Sequence, residues 1–236
     1  MPPQSNIQKN RLLAALPLED FQRFFSELSP VSLENRQIVY ETGRPMGCVY
    51  FIQEGMASIL RDMANGSTVE VGMIGAEGMV GVAAMLGAET SAQQVIIQVA
   101  GTALRMNTAR CREAFDQSAN VRRIMNRFTE SLLNLSSQTA ACNRLHSIEQ
   151  RCARWLLMAG DRIQSLTMPM THEFLASMLG ARRAGIPANY VEQSNGEALS
   201  PQAGRGMRRF PSIILRWSRM GLQPRSLAPF TGRGTG

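Results

Sequence analysis

The sequence predicts an α+β chain: an N-terminal antiparallel β-roll of the jelly-roll kind, one long helix, and a C-terminal helix-turn-helix that lacks a recognisable wing. Three observations carry this. Short apolar runs punctuated by turn residues fill 33–108. Apolar residues then recur at spacings of 4, 3, 4, 3, 4 and 3 over 121–142. Finally, a short helical pattern, a glycine and an Arg-Arg pair occupy 171–183.

At 236 residues and 44% hydrophobic content, the chain is long and apolar enough for one large or two ordinary domains. Its net charge of +7 suggests a polyanionic partner, but the charge is unevenly placed. Residues 187–236 hold seven Arg, no Lys and two acids, whereas 1–186 carry only +2. The four cysteines (Cys48, Cys111, Cys142 and Cys152) form no Cys-x-x-Cys pair and read as buried reduced thiols. No metal site or other cofactor is expected. Met1-Pro-Pro-Gln-Ser-Asn6 has no signal-peptide pattern, and no apolar run approaches the ~20 residues a bilayer requires. A cytoplasmic protein without a membrane partner is expected. With two histidines and no nucleophile–base constellation, the chain does not read as an enzyme.

The roll is assigned to 10–118. It opens with a helical lead-in over 10–28, where Leu12, Leu13 and Leu16 precede Pro17, then Phe21, Phe24, Phe25 and Leu28 recur until Pro30 stops them. Strands are expected at 38–40, 48–52, 56–60, 68–74, 95–99 and 103–106, with an Asn65-Gly66 hairpin signal between two of them. A glycine-rich insertion, Ile74-Gly-Ala-Glu-Gly-Met-Val-Gly81, interrupts this texture. Gly75, Gly78 and Gly81 either cradle a phosphate on backbone amides ahead of a helix at 79–86 or make tight turns inside the roll, and such patterns are weakly specific.

A helix at 109–115 leads into the long helix at 119–142. Its seam of Val121, Met125, Phe128, Leu132, Leu135, Thr139 and Cys142 spans 22 residues, roughly 33 Å. The seam suits a two-fold partner helix; packing against the chain's own core is the alternative. Residues 143–146 mark a boundary. Ser147-Ile-Glu-Gln150 then matches a capping box, opening a helix with Cys152, Trp155, Leu156 and Ala159 on one face and Arg151, Arg154 and Arg162 elsewhere. The helix-turn-helix region is taken as 147–190. Thr171 is an N-cap, Phe174, Leu175, Met178 and Leu179 form a helical face, and Gly180 makes the turn. Arg182 and Arg183 open the second helix.

This order of parts, with Val69-Glu-Val-Gly-Met-Ile-Gly-Ala-Glu-Gly-Met-Val-Gly81, Thr139-Ala-Ala-Cys-Asn-Arg-Leu-His146, Gln150-Arg-Cys-Ala-Arg-Trp-Leu-Leu157 and Leu175-Ala-Ser-Met-Leu-Gly-Ala-Arg-Arg183, resembles the Crp/Fnr family of bacterial transcription regulators. The resemblance covers about 10–186. It implies a cyclic-nucleotide-binding-type roll, dimerisation through the seam helix, and DNA binding by a winged helix-turn-helix. By that resemblance the effector-pocket candidates are Gly75, Gly78, Gly81, Val82 and Ser91. Cyclic-nucleotide binders of the family carry a ribose-bonding Glu where Val82 stands, and an Arg where this chain has only Thr90-Ser91-Ala92-Gln93. Without that cation the charge-assisted phosphate contact is lost, so tight binding of cyclic AMP is not expected and calorimetry should find no micromolar affinity. The effector, if there is one, stays unassigned. No Cys precedes Cys48, so the iron–sulfur cluster of the family's oxygen sensors is absent as well. A haem-ligand role for His146 or His172 is weighed against a surface or hinge histidine, and the latter is preferred.

Pro187 interrupts the second helix, where a proline costs about 3 kcal/mol. The tail 191–236 reads as irregular, basic and disordered, and the five Pro and seven Gly of 187–236 include no wing pattern. The text after Ile186 reads as divergent or out of frame; the other two reading frames of the gene should then restore an apolar helix and a wing. The expected function is a dimeric DNA-binding transcription regulator. Arg183 is expected to contact base edges, and Thr171, Arg182 and more weakly His172 to contact phosphate. The alternative is a dimerising interaction module with impaired DNA reading, which forms homodimers or titrates a paralogue into heterodimers.

Overall fold

The computed structural model of the chain describes residues 9–64, 66–163 and 172–181. Two helices open it, α1 (Arg11–Ala14) and α2 (Leu18–Ser26). Asn10 starts α1 by accepting from the amides of Leu12 and Leu13 at 3.1 Å. The other end of its buried amide donates to the carbonyls of Ile52 and Gly78, both at 2.8 Å. One side chain thus ties the N-terminus to the sheet and to the glycine insertion. The expected single lead-in is two helices because Pro17, which has no N–H to continue α1, becomes the N-cap of α2. Pro30 does not merely stop a helix. It lies within β1 (Ser29–Leu33), an edge strand where a missing donor is tolerated.

The remaining strands are β2 (Ile38–Tyr40), β3 (Cys48–Asp62), β4 (Thr68–Ile74), β5 (Met79–Val80) and β6 (Gln94–Asn107). They form one antiparallel sheet in the order β1-β6-β3-β4, with β2 also on β6 and β5 also on β3. Strands β3 and β6 each absorb two of the predicted runs. The breaks between those runs are bulges, where the β3–β6 register shifts between Ile52 and Ala57. Gly101 belongs at this point because a Cβ there would lie 2.1 Å from the Glu54 carbonyl oxygen. The β3–β4 hairpin closes at the Asp62–Thr68 pair, as the turn signal predicts, although Asn65 itself lies outside the described residues.

Four further helices are α4 (Thr108–Gln117), α5 (Ala119–Leu145), α6 (Ile148–Ile163) and α7 (His172–Met178), and a short helix, α3 (Val82–Met85), sits between β5 and β6. Ser118 separates α4 from α5: its hydroxyl accepts from Val121 N–H at 3.2 Å and donates to Asp20 at 2.7 Å. Helix α5 runs three residues past the expected end at 142, because the apolar seam records what is packed rather than where the helix stops. The capping box of α6 is formed in both directions. Ser147 N–H donates to Gln150 at 3.0 Å, and Gln150 N–H donates to the Ser147 hydroxyl at 3.3 Å.

Two apolar clusters hold these elements. The first lies inside the roll and joins Val49, Phe51, Met79, Ile97 and Met106 to Val121, Ile124, Met125 and Phe128 of α5. The second joins Met56, Leu60 and Met73 of the sheet to Cys152, Trp155 and Ala159 of α6, to Leu175 and Met178 of α7 and to Leu179 just after it. Each large side chain buried this way contributes roughly 1.5–3 kcal/mol. The C-terminal helices are therefore seated directly on the sheet. Among the described residues, no helix is long and apolar enough to cross a membrane.

Candidate functional site

The glycine insertion is built for close approach. The helix expected at 79–86 is only α3, because Met79 and Val80 pair with Phe51 and Tyr50 as β5. A Cβ on Gly78 would lie 2.3 Å from Phe128 Cζ, and one on Gly75 would lie 2.9 Å from Arg162 Cβ. Gly81 has φ +110°, and a Cβ there would meet the Tyr40 hydroxyl at 2.5 Å. At these positions α5, α6 and Tyr40 approach the backbone closely. Val82 packs against the roll's core. The buried Ser91 turns its hydroxyl onto its own loop and donates to Gln93 O at 2.6 Å. Two guanidinium groups are spent on the carbonyls of this segment: Arg112 on Ala84 and Ala88, and Arg61 on Ala92.

The seam divides in two. Val121, Met125 and Phe128 are buried in the chain's own roll, which corrects the expectation that they face a partner helix. Leu132 packs partly on the same core, and Leu135 and Thr139 are half-buried. Cys142 is buried. Thr139, the polar member of the seam, accepts from Arg154 of α6 at 3.2 Å. On the open side of the helix, Leu133 is 64% exposed, beside exposed Ser136, Ser137, Ala140 and Ala141.

Helix α6 is held by two acids, Glu70 and Glu77, to which sequence reasoning gave no role. Glu70 of β4, 7% exposed, accepts from Trp155 Nε1 at 2.7 Å and hydrogen-bonds the Ser58 hydroxyl at 2.6 Å. Burial pushes its carboxyl up to about 7, against the opposing pull of the Ser58 and Trp155 hydrogen bonds and of Arg162 and Arg154. Two turns further along α6, Arg162 Nε stands 2.7 Å from Glu77 Oε1 in a pair almost closed to solvent. The N–H is not aimed at that oxygen, so this contact is an ion pair rather than an aligned hydrogen bond. Arg151 reaches Leu179 O at 3.1 Å and the Asn143 side chain at 3.3 Å. A cavity of about 30 Å³ lies between these groups, lined by Glu70, Thr139, Asn143, Arg151, Arg154 and Trp155 among others. One signal was available in the sequence, an acid set among apolar residues in Val69-Glu-Val-Gly-Met73.

The chain turns at Gly180, just after α7, as expected. Ala181 N–H donates to Ala176 O at 2.9 Å and Gly180 N–H to Ser177 O at 3.0 Å, with φ +58° at Gly180. This is a Schellman motif, which turns the chain sharply after the helix. Trp155 and Phe174 meet edge-on at 5.9 Å, joining α6 to α7. His172 is the first residue of α7. Thr171, Arg182, Arg183 and the tail 187–236 lie outside the described residues.

Two family models match the chain: a cyclic nucleotide-binding domain over residues 30–118 and a Crp-like helix-turn-helix domain over 150–186. The chain belongs to the Crp/Fnr family of transcription regulators. Solved structures of the same fold include a transcriptional regulator of the crp/fnr family from Eubacterium rectale, at 13% identity and TM-score 0.66, covering 84% of this chain and 96% of that one. Another is the c-di-GMP responsive global regulator CLP of Xanthomonas campestris, at 15% identity and TM-score 0.61, covering 84% and 93%. FixK2 from Bradyrhizobium japonicum gives 12% and 0.63, covering 79% and 96%. A comparison with curated protein sequences finds no match. In this Crp/Fnr regulator, the glycine insertion and β4 carry α5 and α6, and α6 carries the first helix and turn of the DNA-binding region.

Proposed function

We propose that this Crp/Fnr regulator binds DNA as a dimer, with Arg183 at a base edge, Thr171, Arg182 and more weakly His172 on phosphate, and a roll that does not take cyclic AMP. The observation that carries the DNA reading is the Schellman turn at Gly180. It turns the chain after α7, and Arg182 and Arg183 follow Ala181 in the sequence. Arginine at that point suits bidentate bonding to guanine. The dimer reading rests on the exposed side of α5, where Leu133, Ser136 and Ala140 present a narrow stripe of small and apolar residues. The absence of an arginine from Thr90-Ser91-Ala92-Gln93 supports the reading against cyclic AMP, as does the commitment of Arg61 and Arg112 to nearby carbonyls.

One observation favours a second reading, a dimerising module with impaired DNA reading that also pairs with a paralogue. The helix-turn-helix match ends at residue 186, one position before Pro187. Selection of bound sequences from a random duplex pool at physiological salt separates the two. Recovery of a two-fold-related site, lost in Arg183→Ala, supports the DNA reader. Uniform binding that weakens steeply with salt supports the second reading.

A further inference from the structure

The junction between the roll and the DNA-binding helices contains a buried acid without a close cation. Glu70 is buried between β4 and α6, and among the described residues no lysine or arginine pairs with it at ion-pair distance. Among the described residues, the charged groups facing it come from α6, and each is committed elsewhere. Arg162 is held by Glu77 and by Met158 O, Arg154 by Thr139, and Arg151 by Leu179 O and Asn143. Helix α5 contributes Thr139, Cys142 and Asn143 to the same cavity, and Met178 of α7 and the following Leu179 also line it, while Ser58 of β3 meets Glu70 directly. The residue before Glu70 is Val69, and a Cβ at the turn glycine, Gly180, would lie 3.1 Å from its Cγ2.

We propose that Glu70 is a proton-operated latch: neutral Glu70 holds α6 and α7 against the sheet, and ionised Glu70 loosens them. The neutral carboxyl fits its site. Its O–H can donate to the Ser58 oxygen while its other oxygen accepts the Trp155 N–H, leaving no charge in an apolar cluster. Ionisation places a charge beside Met73, Met178 and Leu179 with two hydrogen bonds and no ion pair, and a buried charge so placed is costly. The adjoining cavity of about 30 Å³ has room for a water molecule to hydrate that charge as the contact opens. Burial sets the carboxyl's transition at about 7, so the latch works near neutrality. The folded state binds the proton more tightly than the unfolded one, so the contact is firmest in acid, weakens as pH rises toward 7 and levels off above it.

This latch gains its regulatory meaning from the DNA-reading role of α6 and α7, but its test uses no DNA, so either idea can fail alone. Amide hydrogen exchange on the full chain, corrected for intrinsic rates, should show protection of 174–179 falling at least about tenfold from pH 5.5 to pH 8.5, with the fall levelling off above about 7. Glu70→Gln, which keeps an acceptor for Trp155 and a donor for Ser58, should stay protected throughout. The same fall in Glu70→Gln as in the wild type overturns the proposal.

Discussion

Trp155 donates its indole N–H to the Glu70 carboxyl at 2.7 Å, joining α6 to β4 across 85 positions of sequence. Trp155→Phe keeps a ring against Met56 and Met73 but removes the donor. It should cost about 1–3 kcal/mol, with the larger loss above pH 7, where the abandoned acceptor is charged. Urea unfolding at pH 5.5 and 8.5 measures both numbers.

Glu70→Gln should act in the opposite direction. The wild-type carboxyl titrates at about 7 in the folded chain and near 4.5 when unfolded. Stability is therefore whole below the lower value, falls as pH rises between the two, and above 7 is reduced on the order of 3 kcal/mol. Glutamine has no such dependence. The variant should melt with the wild type at pH 4 and above it at pH 8.5 in thermal scans.

Arg162 and Glu77 form the other fastening of α6. Arg162→Met leaves Glu77 nearly buried and without its cation, which should cost about 3–5 kcal/mol. The Glu77→Gln, Arg162→Met double variant should recover part of that loss in the same denaturation assay, because no unpaired charge remains.

Gly78→Ala tests whether the insertion is packing or pocket. The new methyl group would stand 2.3 Å from Phe128 Cζ and should cost about 1–3 kcal/mol through overpacking. Combining it with Phe128→Leu should restore the melting temperature. A phosphate cradle predicts no such rescue.

Leu133→Glu addresses the dimer. Leu133 is 64% exposed, so the substitution should leave the fold of one chain intact. If the stripe on α5 joins two copies, the variant should sediment as a monomer where the wild type sediments as a dimer.

Much of this architecture was legible in the linear text because it depends on local chemistry. The capping box at Ser147, the helix end at Gly180 and the Asp62–Thr68 hairpin each rest on residues a few positions apart. The seam spacing also located α5. It could not say which side of a dimer-or-core choice each residue would take, because Val121 and Phe128 are equally apolar in either setting. Likewise, glycines at 75, 78 and 81 look alike whether a ligand or a helix approaches them.

The sequence by itself determined the order of the parts, the helix that bears the turn, and the place after Ile186 where the family pattern ends. Periodicity, caps and breakers act over one or two turns of chain, so the linear text is enough to find them. Only the tertiary structure decided that Phe128 fills the space over Gly78, that α6 lies on β4, and that Glu70 is sealed beneath Trp155. Those facts depend on which surfaces meet. An acid in a half-apolar strand becomes a titrating group near neutrality only when a helix 85 residues away takes it out of water.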